Sequence, residues 1–260
     1  MKLKELLRGL EPLQIAADLE MEIGSVAYDS RKVEKGGMFV AITGFATDGN
    51  LYIPMAMEKG AAAALGFIYV DTGALYRAVG VNALRKGIDT KDKPAVAATL
   101  SEISVDLVFE NGEQKVLLNG ENVSVEIRTP PASMAASDVS AVPEVRAFLF
   151  DLQRDIAKRN NCIMDGRDIG TVVLPDAQVK IFLTASPEER ATRRYKELIE
   201  KGTAVEYKDV LEELIQRDYN DSHREIAPLK PAEDGVILDT TGLDLEGSIN
   251  EIIRIVKEKI

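Results

Sequence analysis

The chain has 260 residues, 45% of them hydrophobic and 29% charged, enough to bury a core in one or two domains and too apolar for a disordered segment. Its net charge of −11 argues against nonspecific binding of nucleic-acid polymers, although a nucleotide site needs only a local arginine cluster. No apolar stretch approaches the roughly 18 residues of a membrane helix, and a single cysteine, Cys162, excludes an internal disulfide and fits a reducing cytoplasm.

Residues 1–10 suggest a short amphipathic helix, too interrupted by charge to be a signal peptide. Residues 22–28 and 38–43 read as strands separated by a turn at Gly36-Gly37. Residues 52–64 read as an alanine-rich helix with an early Pro54, residues 67–70 as a strand, and residues 73–84 as a helix ending near Gly87. Residues 95–101 look helical. Residues 103–110, 114–118 and 123–128 alternate apolar and polar, with Asn111-Gly112 and Asn119-Gly120 between them. Asn-Gly between alternating runs predicts hairpins, so a three-stranded antiparallel meander is expected. Residues 143–160 read as a helix, 161–164 and 179–183 as buried strands, 186–201 and 207–224 as helices, 235–239 as a strand and 245–259 as a final helix. Strands alternating with helices predict an α/β fold with a doubly wound parallel sheet.

The most informative stretch is Cys162-Ile163-Met164-Asp165-Gly166-Arg167-Asp168-Ile169-Gly170-Thr171. An apolar run that ends in Asp-Gly-Arg-Asp delivers carboxylates and a guanidinium to the open end of a sheet, where α/β proteins bind ligands. Arginine suits phosphate, and two further arginine clusters accompany this one. Arg217, Asp221 and Arg224 share a helical face by their spacing. Arg190, Arg193 and Arg194 follow a helix start marked by Ser186, Pro187, Glu188 and Glu189. Cys162 has apolar neighbours and reads as structural, and the lone His223 cannot build a multi-histidine metal site.

From Gly66 onward the chain resembles the bacterial cytidylate kinases, the (d)CMP kinases of the nucleoside monophosphate kinase group. The resemblance rests on Tyr69-Val70-Asp71-Thr72-Gly73-Ala74-Leu75-Tyr76-Arg77, on Ile127-Arg128-Thr129 through Ala135-Ala136-Ser137, on Asp165 through Val173, and on Arg217-Asp218 through Leu229. It implies a P-loop-kinase-like sheet carrying the meander as part of a CMP-binding insert at 79–145, with a lid at 186–224. It also implies transfer of the γ-phosphate of ATP, with Mg²⁺, to CMP or dCMP. The acceptor oxygen is already anionic, so positioning and charge neutralisation carry the reaction. The resemblance puts Arg77 and Arg167 on the CMP phosphate with Thr72 in support and Tyr76 beside them. Ser137, Arg146 and Asp168 would read the cytosine edge, Arg217 and Asp221 the sugar hydroxyls with Arg224 nearby, and Arg193 and Arg194 the ATP under the lid. A cytoplasmic monomer without nucleic-acid or membrane partners is expected.

Such kinases begin with a strand, a P-loop of pattern G-x-x-x-x-G-K-[ST] and a helix. The sequence has no match to that pattern. Gly44 and Gly49 have its spacing, but Asn50 stands for the Lys, Leu51 for the Ser/Thr, and Asp48 would repel phosphate. Turnover is therefore expected to be impaired, with the Mg²⁺ site incomplete. Residues 1–65 resemble instead the N-terminal, UDP-binding domain of Mur ligases, closest to UDP-N-acetylmuramoyl-tripeptide synthetase, through Asp29-Ser30-Arg31-Lys32-Val33, Gly37 to Gly44, Asp48-Gly49 and the alanines around Gly60. The chain is thus expected to join a small α/β module, 1–65, to a kinase-like domain, 66–260. Residues 38–65 repeat the order strand, loop, helix, which leaves two readings: they stand in for the missing central strand by pairing with 161–164, or they form a separate small module beside an incomplete kinase. The alternative reading is a non-catalytic fusion protein that binds pyrimidine nucleotides or UDP precursors.

Overall fold

The computed structural model describes residues 1–8, 18–44, 48–110 and 113–259. They form two compact units, Met1–Gly166 and Arg167–Ile260.

The first unit opens with a short helix α1 (Leu3–Leu6), whose Leu3 is buried. The two-residue strand β1 (Val26–Ala27) follows, much shorter than the 22–28 expected. Strand β2 (Met38–Thr43) is apolar along its length because both of its faces are covered. Phe39 and Ala41 pack with Val33, Ala56 and Ala61 on one side. Met38 packs with Leu3, Ile23 and Ala63 on the other.

Helix α2 (Ile53–Glu58) stops well short of residue 64. Gly60 takes φ +93, a left-handed conformation that ends the helix. Its carbonyl accepts the Gly36 N–H at 2.8 Å, and the Ala62 N–H then donates to Gly37 O at 2.7 Å. Residues 63 and 64, expected as helix, are therefore strand, and β3 runs unbroken as Ala63–Asp71 across the expected boundary at 65.

The long helix α3 (Thr72–Arg85) starts where β3 ends. A short α4 (Lys93–Ala98) leads to β4 (Val105–Glu110) and β5 (Glu113–Leu118), an antiparallel pair flanking Asn111-Gly112, which lies outside the described residues. Asn119 and Gly120 both have positive φ, 52° and 80°, as a two-residue primed turn requires. The next strand, β6 (Glu121–Asn122), is only two residues and not the 123–128 expected. Val123 makes one more ladder bond, to Val116 O at 2.9 Å. The Ser124 hydroxyl then accepts the Val116 N–H at 3.0 Å, and the chain leaves the sheet. Helix α5 (Pro130–Val139), which no periodicity announced, and α6 (Pro143–Arg159) lead to β7 (Cys162–Asp165).

The main sheet is parallel, in the order β1-β2-β3-β7. β2 pairs with β3 from Met38↔Ala63 to Thr43↔Ile68 and makes no pair with 161–164. The reading in which it replaces a central strand beside β7 is thus overturned. A strand joined to the next by one short helix settles beside it, and β3 already offers β7 its other edge. The core lies on the far side of α3, where Leu75, Val79, Val116, Val139 and Leu149 are all fully buried. At the α3–α5 crossing a Cβ on Gly80 would stand 2.8 Å from Ala135 Cβ. Gly80→Val is expected to cost about 2–3 kcal/mol of stability by overpacking this contact. Denaturant unfolding checks it, and an unchanged midpoint would mean that the helices separate freely.

In the second unit an irregular turn (Ile169–Val173) precedes β8 (Ile181–Thr184), α7 (Pro187–Glu200), α8 (Tyr207–His223), β9 (Val236–Asp239) and α9 (Leu245–Lys259). β8 and β9 pair in parallel, from Ile181↔Val236 to Thr184↔Asp239. Among the described residues no helix is long and apolar enough to cross a membrane.

Candidate active site

The parallel register places Asp71 opposite Asp165, so β3 and β7 bring two carboxylates to the C-terminal edge of the sheet. Asp71 has two tasks. One oxygen caps α3 by accepting the Ala74 N–H at 3.1 Å. The other takes Arg77 Nη2 at 2.5 Å, one and a half turns along the same helix. Gly73 keeps this pair close, since a Cβ there would stand 3.0 Å from Asp71 Oδ1 and 3.3 Å from Arg77 Nη1. Both side chains keep 22% of their surface exposed, so the guanidinium can exchange its carboxylate for an incoming anion.

Asp165 is held differently. Thr72 Oγ1 donates to its carbonyl at 2.7 Å and Tyr69 Oη to its carboxylate at 2.6 Å. Burial first, and this carboxylate second, push the Tyr69 hydroxyl well above its ordinary range, so it stays a donor. Gln114, buried at the start of β5, donates Nε2 to Tyr69 O at 2.6 Å and ties the meander to the strand end. The sequence marks Asp165 as a carboxylate at the strand end but not its partners Tyr69 and Thr72, and it gives Tyr69, Asp71 and Gln114 no role. Tyr69 and Asp71 stand in the Tyr69–Arg77 motif, whereas nothing local marks Gln114.

Tyr76 packs against the core. The Arg146 guanidinium carbon lies 5.7 Å from its ring centroid, and Arg146 Nη1 donates to Ser140 O at 3.3 Å. Ser137, half-buried on α5, has its carbonyl bonded by the Ser140 hydroxyl at 2.8 Å. The structure therefore brings Tyr76 and Arg146 together, with Ser137 one turn from the Ser140 carbonyl that Arg146 contacts.

The loop after β2 carries Gly44 and Gly49, and its residues 45–47 lie outside the described ones. Asp48 folds into the turn. Its Oδ1 takes Thr43 Oγ1 at 2.5 Å, the Asn50 N–H at 2.8 Å and Asn50 Nδ2 at 2.9 Å. Burial raises the Asp48 carboxyl, but these hydrogen bonds outweigh it and hold the group below its ordinary value. A backbone N–H that a phosphate-binding loop would offer to a ligand is here given to the loop's own carboxylate. Leu51 is 66% exposed. Ser30 is buried, with its hydroxyl 3.7 Å from Met55 Sδ, while Arg31 projects outward and chelates Asp29.

In the second unit Arg167 Nε donates to Asp221 Oδ2 at 2.9 Å. Asp221, only 5% exposed, also has Arg224 Nη1 at 3.8 Å from its other oxygen. α8 ends at His223, so Arg224 lies just beyond the helical face on which its spacing had placed it. It still reaches Asp221, and its Nε donates to Ala227 O at 2.7 Å. Arg217 is half-buried one turn before Asp221. Asp168 is buried, and its carbonyl accepts the Val172 N–H at 2.9 Å. Arg190 forks onto Asp218, Nη1 to Oδ1 at 3.1 Å with Nη2 on Oδ2. Arg193 on α7 pairs with Glu189 at 3.2 Å and donates to Thr240 O at 3.1 Å and Leu243 O at 3.3 Å. Arg194 pairs with Glu197 at 2.8 Å. Arg77, Thr72, Tyr76, Ser137 and Arg146 thus belong to the first unit, and Arg167, Asp168, Arg193, Arg194, Arg217, Asp221 and Arg224 to the second.

The chain matches the protein-family model described as cytidylate kinase over residues 40–258. The match starts well before the residue 66 from which the resemblance was read, and it takes in β2 from Val40 onward and the Gly44–Leu51 loop. A cytidylate kinase of Caldicellulosiruptor saccharolyticus is 46% identical over 216 residues, 83% of this chain and 94% of that protein. One from Carboxydothermus hydrogenoformans is 44% identical over 222 residues, 85% and 98% of the two chains. One from Pasteurella multocida is 47% identical over 196 residues, 75% and 86%.

Proposed function

The chain belongs to the cytidylate kinase family, and from that premise we propose that it binds CMP or dCMP as phosphoryl acceptor, with a weakened hold on the donor, ATP. The observation that carries the acceptor reading is the Asp71–Arg77 pair at the head of α3, a phosphate-ready guanidinium kept in place by an exchangeable carboxylate.

Each residue then has a task. Arg77 and Arg167 leave Asp71 and Asp221 to neutralise the CMP phosphate, whose oxygen needs no base to attack. Asp71 stays behind as the helix cap. Thr72 fixes the strand end through the Asp165 carbonyl. The buried Asp168 carboxylate accepts from the cytosine amine, with Ser137 and Arg146 on the same base edge and Tyr76 steadying Arg146. Arg217 and Asp221 hold the sugar hydroxyls with Arg224 behind them. Arg193 and Arg194 close on ATP from α7. The protein works as a cytoplasmic monomer.

The donor side rests on the loop after β2. Asn50 brings no charge to a γ-phosphate, and Asp48 already fills the turn with an anion. The loop does not fit Mg²⁺ either. Leu51 offers no oxygen where Ser or Thr stands in the P-loop pattern. Losing the lysine contact alone removes about 2–3 kcal/mol of charge-assisted bonding, a fall in turnover of about 30-fold to 150-fold. Calorimetric titration with CMP, then with ATP–Mg²⁺ on the same sample, tests the reading. CMP should bind, and ATP–Mg²⁺ should bind much more weakly than CMP. No CMP binding would overturn the acceptor reading, and turnover equal to that of the relatives would overturn the donor reading.

A further inference from the structure

Lys180 closes the segment that begins with Arg167 and Asp168, and it takes no part in the chemistry above. Its side chain is only 9% exposed. A buried ammonium is costly unless paired, so its place needs a cause. Nζ meets Asp234 Oδ2 at 2.5 Å and also donates to the Pro175 carbonyl. On the way there the stem crosses Gly170. A Cβ on Gly170 would stand 3.2 Å from both Cγ and Cδ of Lys180. One lysine therefore presses on residue 170, bonds residue 175 and anchors both to the loop before β9.

The segment so held is intrinsically weak. Its closing bond runs from the Leu174 N–H to Ile169 O at 2.7 Å, a spacing of five residues that is rare and concentrated at functional sites. Of the bonds to the Asp168 carbonyl, those from Thr171 and Val173 are long, at 3.3 Å each. Such a turn persists when its surroundings hold it. Directly before it stand Arg167 and Asp168, whose proposed work is to hold a phosphate and a base edge, which demands sub-ångström placement.

We propose that Lys180 is a positioning residue for acceptor binding, holding the 169–175 turn through Gly170, Pro175 and Asp234 so that Arg167 and Asp168 present their side chains correctly. The inference rests on the acceptor reading above, and its test separates the two. Lys180→Met keeps the stem and removes the charge, Lys180→Arg keeps both, and Asp234→Asn weakens the anchor from the other side. Amide hydrogen exchange in 171–174 of the ligand-free protein, measured by mass spectrometry, should quicken about tenfold in Lys180→Met, less in Asp234→Asn and little in Lys180→Arg. CMP affinity by calorimetry should fall about tenfold in Lys180→Met and recover to within about threefold of wild type in Lys180→Arg. Unchanged exchange in both Lys180→Met and Asp234→Asn overturns the proposal. So does faster exchange with undiminished CMP affinity. If the wild type binds no CMP, the acceptor reading has failed, and the exchange rates alone decide whether Lys180 holds the turn.

Discussion

Arg77→Ala is expected to weaken CMP binding by about 10²-fold while leaving the fold in place. The guanidinium emerges from the first turns of α3 toward the sheet edge, and its present partner, Asp71, is an exchangeable surface carboxylate. A bidentate contact to a phosphate is worth roughly 2–3 kcal/mol, which sets the size of the loss. Stability should change by less than about 1 kcal/mol, because a partly exposed pair contributes little. Asp71 also keeps its second bond, to the Ala74 N–H. Arg77→Lys should recover only part of the affinity, since a point charge cannot match the planar fork. Calorimetry with CMP beside a denaturant melt checks both halves. An Arg77→Ala protein that binds CMP like wild type would remove Arg77 from the site.

The parts of the fold legible in the sequence are those fixed by near neighbours. Asn119-Gly120 announces its own turn because two successive positive φ values admit few other residues. β7 and α7 begin and end within a few residues of expectation because an apolar run and a Ser-Pro-Glu-Glu start are local signals. What the sequence concealed is pairing. Met38–Thr43 reads as a buried strand wherever it lies, so its apolar pattern cannot choose between β3 and β7 as a partner. The choice follows from the short α2 and the left-handed Gly60, a matter of a few bonds around Gly36 and Gly37. The site divides in the same way. Its arginines stand out as residue types, but which carboxylate each one takes depends on contacts far apart in sequence. Arg167 meets Asp221 across 54 positions, and the Asp165 carbonyl meets Thr72 across 93. The lysine behind the Asp-Gly-Arg-Asp turn had no signature at all, being one cation on an ordinary strand start.

Asp221→Ala should cost about 3 kcal/mol of stability in the second unit, more than any other single charge substitution considered above. The carboxylate is buried, and so is Arg224, whose side chain is 9% exposed. Removing the acid takes a counter-charge away from a desolvated guanidinium, whose bond to the Ala227 carbonyl survives. The Asp221 backbone carbonyl also accepts the Leu229 N–H at 2.8 Å, so the segment after α8 is tethered at the same residue and is not expected to detach. The loss is therefore electrostatic, and a double-mutant cycle can isolate it. Asp221→Ala with Arg224→Ala should be more stable than the sum of the two single losses predicts, by about 1–2 kcal/mol, because the double variant no longer holds the buried Arg224 charge, while Arg167, 43% exposed, is solvated. Strict additivity would show that the 3.8 Å approach of the two groups carries no coupling. CMP affinity should fall in both variants that lack Asp221, since Arg167 loses the partner that orients it and, on the proposed acceptor reading, the sugar loses an acceptor. A variant that melts early yet binds CMP as tightly as wild type would separate the two roles and confine Asp221 to structure.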